Sequence, residues 1–389
     1  MIDLSILRDE LDEIDSQIVS LYEKRMEVCG QVAEYKIATG KKVFDKVREE
    51  AKLSKVRSLA HNDFNRHGIE ELFEQIMSMS RKLQYQMLAA NGSLGRLPFI
   101  GVDSIEKEKV RVVFQGAEGS YSQAAMNAYF GDKINSFHVD TFRDAMSAID
   151  EGSADFAVLP IENSTAGIVN EIYDLLVEFE NYIVGEQIIP IRHCLLAVPG
   201  TKLEDIERVY SHPQSLMQSS KFLSEMGWKQ YAEQNNAFAA RKIAEEGDKT
   251  QAAIASSYAG ETYGLEILKE GVNQSGANST RFIIVTNQKI FCSDADKVSI
   301  CFEVPHESGS LYHMLSHFIY NNLNMTKIES RPLEERNWEY RFFIDFQGNL
   351  ADASVKNALR GLRDEARNMK ILGNYKACEV PVVKTNTVI

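Results

Sequence analysis

Residues 18–28 read IVSLYEKRMEV, and the arginine at position 25 decides how the N-terminal segment is understood. Leu4, Leu7, Leu11, Ile14, Ile18 and Leu21 recur at alternating spacings of three and four, the period of one helical face. Arg25 takes the next place in that series, and Val28 and Val32 resume it. A cation inside an apolar stripe is costly unless anions or hydrogen-bond partners wait for it. The reading is therefore a helix that buries a charge for a purpose.

Working outward, residues 1–90 contain no proline and only Gly30, Gly40 and Gly68. The spacing predicts helices from about Leu4 to Thr39, Phe44 to Ala60 and Asn65 to Ala90, with Ser5 a candidate cap for the first. So long a first helix finds no cover in a three-helix monomer, so its seam predicts pairing with a second chain. Lys36 shares the face of Arg25 three turns on, about 20° around the helix, and Arg8 sits beside the stripe. Asp45, Arg48 and Glu49 open the second helix. On the third, Leu72, Ile76, Leu83 and Met87 mark an inward face that also carries Ser80 and Gln84.

Taken singly, Arg8, Arg48 and Glu49 read equally well as solvated surface charges. Together with Arg25, Lys36 and Gln84 they describe a polar pocket for a small polyanion. Those faces hold no histidine, no nucleophile beside a base and no metal-ligand cluster. Such a pocket either binds, or catalyses a reaction needing only orientation and electrostatics.

The whole chain carries a formal charge of −13, which argues against nucleic acid or anionic lipid as the main partner. Its five cysteines follow neither a metal-site nor a disulfide spacing, so a reducing cytoplasm is the expected setting. The acidic, helix-periodic start is wrong for a signal peptide, and no apolar run is long enough to cross a bilayer.

NGSLGRLP, residues 91–98, breaks the helical pattern and reads as linker. From Lys109 short apolar strands alternate with helices, the rhythm of a parallel α/β sheet in two lobes, with ligands expected at strand C-terminal ends. Four polar motifs mark such ends. QGAEGSYS carries Ser120, Tyr121 and Ser122 at a helix start, and LPIENSTAG carries Glu162, Asn163, Ser164 and Thr165. SHPQ supplies Ser211, His212 and Gln214, and NSTRF supplies Thr280 and Arg281. Turn chemistry explains each nearly as well, but their joint occurrence favours a cleft. From Lys297 the order becomes strand, helix, strand, strand, helix, strand, which is the ferredoxin-like arrangement. No nucleophile, base and orienting residue group there, so it reads as a sensing or dimerising module. The expected division is a helical segment 1–90, a linker 91–108, an α/β domain 109–288 and a C-terminal domain 297–385.

Residue by residue, the N-terminal segment resembles the all-helical chorismate mutase domain. LRDELDEID supplies Arg8, EKRMEV Arg25, AEYK Lys36, FDKVREE Asp45, Arg48 and Glu49, and SRKLQ Ser80 and Gln84. The resemblance implies an intertwined dimer that rearranges chorismate to prephenate, with Arg8 reaching into the partner's site. Arg8, Arg25 and Arg48 would clamp the two carboxylates. Lys36 and Gln84 would donate to the ether oxygen, and Glu49, helped by Asp45, would hold the ring hydroxyl.

PIEN and TRF resemble the prephenate dehydratase domain, which implies loss of water and carbon dioxide from prephenate to give phenylpyruvate. There Thr280, Glu162, Asn163 and Gln214 would line the site, with Arg281 and the start at Ser120–Ser122 binding carboxylates. Both Glu162 and Thr280 stand as candidates for the acid, because a threonine hydroxyl is weakly acidic and a glutamate serves only with a raised pKa.

ESRP, Glu329 to Pro332, resembles the phenylalanine-binding ACT regulatory domain. Gly309, Ser310 and Leu311 stand at a second motif of that domain, followed by Tyr312 where valine is usual. The domain order matches bifunctional chorismate mutase/prephenate dehydratases over nearly the whole chain. It implies a cytoplasmic homodimer or higher oligomer in phenylalanine biosynthesis, needing no metal or organic cofactor and inhibited by phenylalanine. Two other readings compete, a mutase whose later domains only regulate and a non-enzymatic aromatic-acid binder. Intact PIENSTAG and NSTRF motifs argue against the first. The Arg25, Lys36 and Gln84 set argues against the second.

Overall fold

The computed structural model describes residues 3–91, 97–274, 276, 278–333 and 336–379. Part of the expected linker, 92–96, and the end of the expected C-terminal domain, 380–385, lie outside the described residues. The chain opens with α1 (Leu4–Thr39), α2 (Lys46–Ser58) and α3 (Asp63–Ala90). Asp3, not Ser5, caps α1: its carboxylate accepts from the Ser5 backbone N–H at 2.9 Å and from the Ser5 hydroxyl at 2.7 Å. Ser5 already lies inside the helix, so its own N–H is one of the orphan donors a cap must satisfy. Gly40 ends α1 in the left-handed region at φ 68°. Along α1 only Ala33 is buried, while Leu11, Ile18 and Leu21 are 57%, 55% and 68% exposed. The apolar seam is real, and these residues of it stay exposed among the described residues of one chain.

The next region builds two lobes. The first contains β1 (Ile100–Val102), β2 (Arg111–Gln115), α4 (Tyr121–Phe130), β3 (Asn135–Val139), α5 (Phe142–Asp150), β4 (Phe156–Asn163), β5 (Gly167–Ile168) and α6 (Asn170–Glu178). Strand β6 (Tyr182–Pro190) then leads out of it. The second lobe holds β7 (Cys194–Ala197), β8 (Arg208–Ser211), α7 (Pro213–Gln218), α8 (Ser220–Met226) and β9 (Lys229–Ala232). It continues with α9 (Asn236–Glu246), β10 (Gln251–Ala255), α10 (Ser257–Tyr263) and β11 (Glu266–Lys269). Strand β12 (Ser279–Thr286) returns to the first lobe, followed by β13 (Ile290–Cys292).

Neither sheet is purely parallel, which corrects the expectation. β2 pairs parallel with β3 and β4, but β12 runs antiparallel to both β4 and β6. In the second lobe β8 is parallel to β9 and β10, whereas β7 is antiparallel to β10 and β11. A chain that leaves a lobe on β6 and comes back beside it on β12 must run in opposite directions on the two. Both faces of the second sheet are covered: Leu196, Tyr210 and Ala253 pack on one side, Leu195, Val209, Ala252 and Ile254 on the other. That burial on two sides explains its unbroken apolar strands.

The last elements are β14 (Lys297–Glu303), α11 (Ser310–Tyr320), β15 (Met325–Leu333), β16 (Arg336–Gln347), α12 (Ala353–Glu365) and β17 (Arg367–Tyr375). Their sheet runs β15-β16-β14-β17, with the first and third strands central, as the split βαβ arrangement requires. Helix α12 stops at Glu365, earlier than its period suggests, because β17 is already extended from Arg367.

Two compact units result, one of residues up to Phe99 with Ile300–Lys370, the other of Ile100–Ser299 with the segment from Ile371. Within the first, α12 and α11 pack on α3. This corrects the reading of α3: Met77, Ser78, Arg81 and Tyr85 are buried, whereas the expected inward Leu72 is 48% exposed. A helix covered by neighbours on more than one side does not show a single stripe. No helix among the described residues is long and apolar enough to cross a membrane.

Candidate active sites

A cavity of about 420 Å³ opens between the three N-terminal helices. Arg25, Lys36, Asp45, Arg48, Glu49, Ser80 and Gln84 all line it, as do Lys52, Lys55 and Arg81. Arg25 finds the partner its position demands, donating from Nη1 to Ser80 Oγ at 2.6 Å, and Ser80 donates onward to the Ile76 carbonyl. Lys36 Nζ donates to Gln84 Oε1 at 2.9 Å and to the Val43 carbonyl at 2.7 Å. The ammonium keeps a third proton, and the Gln84 amide N–H groups stay available as donors. Burial pulls the Lys36 pKa below its ordinary value, while the charges of Glu49 and Asp45 push the other way.

Asp45 is the N-cap of α2, accepting from the Arg48 backbone N–H at 3.1 Å. It therefore fixes the helix start that presents Arg48 and Glu49. Glu49 is held by Arg81, a buried residue missing from the expected set. Arg8 is absent from the cavity and exposed, about 25 Å along α1 from Arg25.

The second site is a cleft of about 270 Å³ between the two lobes. Ser120, Tyr121, Ser122, Asn163, Gln214 and Thr280 line it as expected. Glu162 and Arg281 do not, which corrects their placement. Arg281 lies opposite Glu162 in the ladder, one residue out of phase with the Thr280–Asn163 pair, so the two pairs face opposite sides of the sheet. There Arg281 donates from Nε to the fully buried Glu186 at 2.7 Å and from Nη2 to Tyr375 Oη at 2.8 Å. Its charge is committed to that cluster and not to the cleft.

Ser164, Thr165 and Ser211 are also outside the lining. Ser164 Oγ accepts from the Ser279 N–H, and Ser211 Oγ donates to the Ile254 carbonyl. Thr165 donates from its backbone and hydroxyl to Asn163 Oδ1 at 3.0 and 2.8 Å, and the Ala166 N–H donates there too at 2.9 Å. Three donors on one oxygen fix the amide, so Asn163 Nδ2 is the donor group, 2.8 Å from Asn278 Oδ1 and 2.9 Å from Thr280 Oγ1. With its oxygen accepting from Asn163, the Thr280 hydroxyl has its own proton to donate.

Among the described residues, every one lining the cleft is formally uncharged, with only His193 and His212 titrating near neutrality. Burial lowers the pKa of both, which favours the neutral imidazole. His193 Nε2 lies 3.1 Å from Gln218 Oε1, an oxygen that can only accept, which fixes the protonated nitrogen. Positive potential comes instead from backbone. Ser120, Asn235 and Ser256, the N-caps of α4, α9 and α10, all line the cleft and aim helix N-termini at it. Gly119, at φ 78°, lets the chain turn into α4 while lying against the Ala259 backbone, where a Cβ would be crowded.

Family comparisons match these two sites in order. The sequence model described as Chorismate mutase type II matches residues 7–85, and that described as Prephenate dehydratase matches residues 112–290. A bifunctional chorismate mutase/prephenate dehydratase from Enterobacter agglomerans is 34% identical over 381 residues, covering 96% of this chain and 95% of that protein. The chain belongs to the bifunctional chorismate mutase/prephenate dehydratase family. It carries chorismate mutase and prephenate dehydratase activities of phenylalanine biosynthesis. Among solved structures, prephenate dehydratase from Arthrobacter aurescens in complex with L-Phe is 29% identical with a TM-score of 0.64, covering 69% of this chain and 90% of that one. The structure of GqqA, a novel type of quorum quenching acylase, is 33% identical, also at a TM-score of 0.64, covering 69% of this chain and 98% of that one.

In this bifunctional chain the C-terminal motifs lie apart. Gly309, in the left-handed region at φ 79°, precedes α11, which Ser310 and Leu311 open. Ser310 lines a third cavity of about 190 Å³ with Phe44, Glu49, Met77, Arg81, His313 and Glu365. Glu329 and Arg331 lie on the half-buried face of β15, Ser330 and Pro332 on its exposed face, and none of the four lines that cavity. Tyr312 is half-exposed and its hydroxyl accepts from the Gln75 amide of α3, so its bulk is spent on the helical segment. Sequence reasoning also missed His193 just before β7, Gln218 at the end of α7 and Asn235 at the start of α9, all of which line the cleft.

Proposed function

We propose that chorismate rearranges in the helical cavity and that prephenate is dehydrated in the two-lobed cleft. In the first, Arg25 and Arg48 clamp the substrate carboxylates, and Arg8 of a second chain completes the clamp. The exposed apolar seam of α1 and the distance of Arg8 from the other cations support a dimer paired along α1. Lys36 and Gln84 donate to the ether oxygen as the carbon–oxygen bond breaks and negative charge gathers there. Glu49 accepts from the ring hydroxyl.

Dehydration asks for two things, a seat for two carboxylates and help for a departing hydroxyl. The converging helix N-termini supply the seat in place of Arg281. As carbon dioxide leaves, the electrons of its bond to the ring form the aromatic system and expel the hydroxyl oxygen, which Thr280 stabilises by hydrogen bonding. The observation that carries this assignment is the Asn163–Thr280 pair. It favours Thr280 over Glu162 as the donor, since Glu162 faces the other side of the sheet. The residues 297–385 act as an ACT domain that pairs with a second copy and lowers activity when phenylalanine binds. Supporting this are the split βαβ sheet and the L-Phe complex of the Arthrobacter relative. The divisions 1–90, 109–288 and 297–385 and a cytoplasmic setting complete the reading.

The test is a time course on chorismate alone, following chorismate, prephenate and phenylpyruvate together. Lys36→Ala is expected to slow chorismate loss by a factor of about 100–1000, the scale of one lost oxyanion donor, while supplied prephenate is still consumed. Thr280→Val is expected to let prephenate accumulate at an unchanged rate of chorismate loss. Undiminished phenylpyruvate formation by Thr280→Val would remove the assignment of the cleft.

A further inference from the structure

The wall between the helical cavity and the smaller cavity beside α11 consists of Glu49, Met77 and Arg81, which line both. Arg81 is the polar core of that wall. Its side chain is 9% exposed, with Nη1 on Glu49 and Nη2 3.0 Å from Glu365 Oε1 of α12. Burial works against the guanidinium charge, but Glu365 and Glu49 outweigh it and hold the Arg81 pKa above its ordinary value. Glu365 is as buried as Arg81, and the same oxygen lies 3.1 Å from His317 Nε2 of α11. Burial pushes the Glu365 carboxyl up, and His317 and Arg81 more than reverse it.

The third member is seated by shape. Gly361 of α12 lies under the His317 imidazole so closely that any Cβ would collide with the ring. His317, Glu365, Arg81 and Glu49 thus form a continuous chain of contacts, from the C-terminal module to the carboxylate that faces the chorismate cavity. Arg81 lacks freedom to hold Glu49 differently, because its other arm is fixed on α12.

We propose that Arg81 and Glu365 are positioning residues for the mutase reaction: α12 sets the orientation of Glu49 through them. The proposal rests on the reading of Glu49 as the acceptor of the substrate ring hydroxyl. Glu365 lies outside the helical cavity, and Arg81 is the residue in contact with both it and Glu49. A shift of α12 or α11 would then change mutase turnover without touching substrate.

The experiment uses the full chain and a double-mutant cycle of Glu365→Gln with Glu49→Gln. Dehydratase activity in the same preparation reports whether the rest of the chain is intact. Glu365→Gln is expected to lower mutase kcat about fivefold to tenfold with little change in KM, and to have no further effect in the Glu49→Gln background. Should Glu365→Gln lose its fold, Glu365→Asp, which keeps the charge but shortens the arm, is read in the same way. An equal effect in both backgrounds, or wild-type kcat for the Glu365 variant beside an impaired Glu49→Gln, overturns the relay alone. Wild-type mutase activity of Glu49→Gln overturns the reading of Glu49, and the proposal with it.

Discussion

At the scale of single residues, the two sites solve the same electrostatic problem by opposite means. The helical cavity gathers formal cations and anchors two of them by hydrogen bonds, Arg25 on Ser80 and Lys36 on Gln84. The cleft gathers none and relies on backbone dipoles. Burial depresses the pKa of its two histidines, which makes a stability prediction. His193 has a folded-state pKa below the ordinary 6.5, so the unfolded chain binds more protons as pH falls through that value. Stability contributed by the neutral imidazole is full above about pH 6.5 and is lost below it, by at most about 1.4 kcal/mol per pH unit. Urea unfolding of the two-lobed unit at pH 7.5 and 5.5 is expected to show this loss, and His193→Gln to show less of it. An unchanged pH slope in that variant would mean that His193 is not the group responsible.

Among elements, α1 shows what a periodic pattern can and cannot say. Its length, its termini near Leu4 and Thr39 and its apolar seam were legible in the sequence because helical period is a local signal. Leu11→Glu with Ile18→Glu places charges on that exposed seam. The pair is expected to shift the protein to a smaller species in size-exclusion chromatography and to abolish mutase activity, with the α/β cleft still turning over prephenate. A full-sized species with normal mutase activity would show that α1 does not pair.

Strand pattern was just as legible at the cleft, yet motif reading overrode it. Glu162 and Asn163, like Thr280 and Arg281, are sequence neighbours, and period two sends neighbours to opposite faces. Treating PIEN and TRF as whole motifs put all four in one site. Arg81 was illegible for a different reason. Its partner Glu365 is remote in sequence, and an arginine between Ser80 and Lys82 carries no local mark of burial.

For the molecule as a whole, the proposed dimer implies that each helical site draws on two chains. Arg8→Ala and Lys36→Ala should each be nearly inactive as mutases when purified alone. Mixed and allowed to exchange, they form heterodimers in which one site receives Arg8 and Lys36 both intact. Mutase activity well above the sum of the separate variants is expected, with phenylpyruvate formation from prephenate unchanged throughout. Activity no greater than that sum, after exchange has been demonstrated, would place Arg8 outside the partner's site.

The return of the chain on β12 beside β6 has a mechanical side. These are the strands that join the lobes, and Thr280 sits near the start of β12, opposite Ile189 of β6 and Asn163 of β4. Atoms near a pivot travel least when the arms around it swing. Any widening of the lobes would therefore carry the helix starts of α9 and α10 outward while leaving the Asn163–Thr280 pair almost stationary. Substrate entry and product exit could then proceed without the reactive hydroxyl being realigned on each cycle.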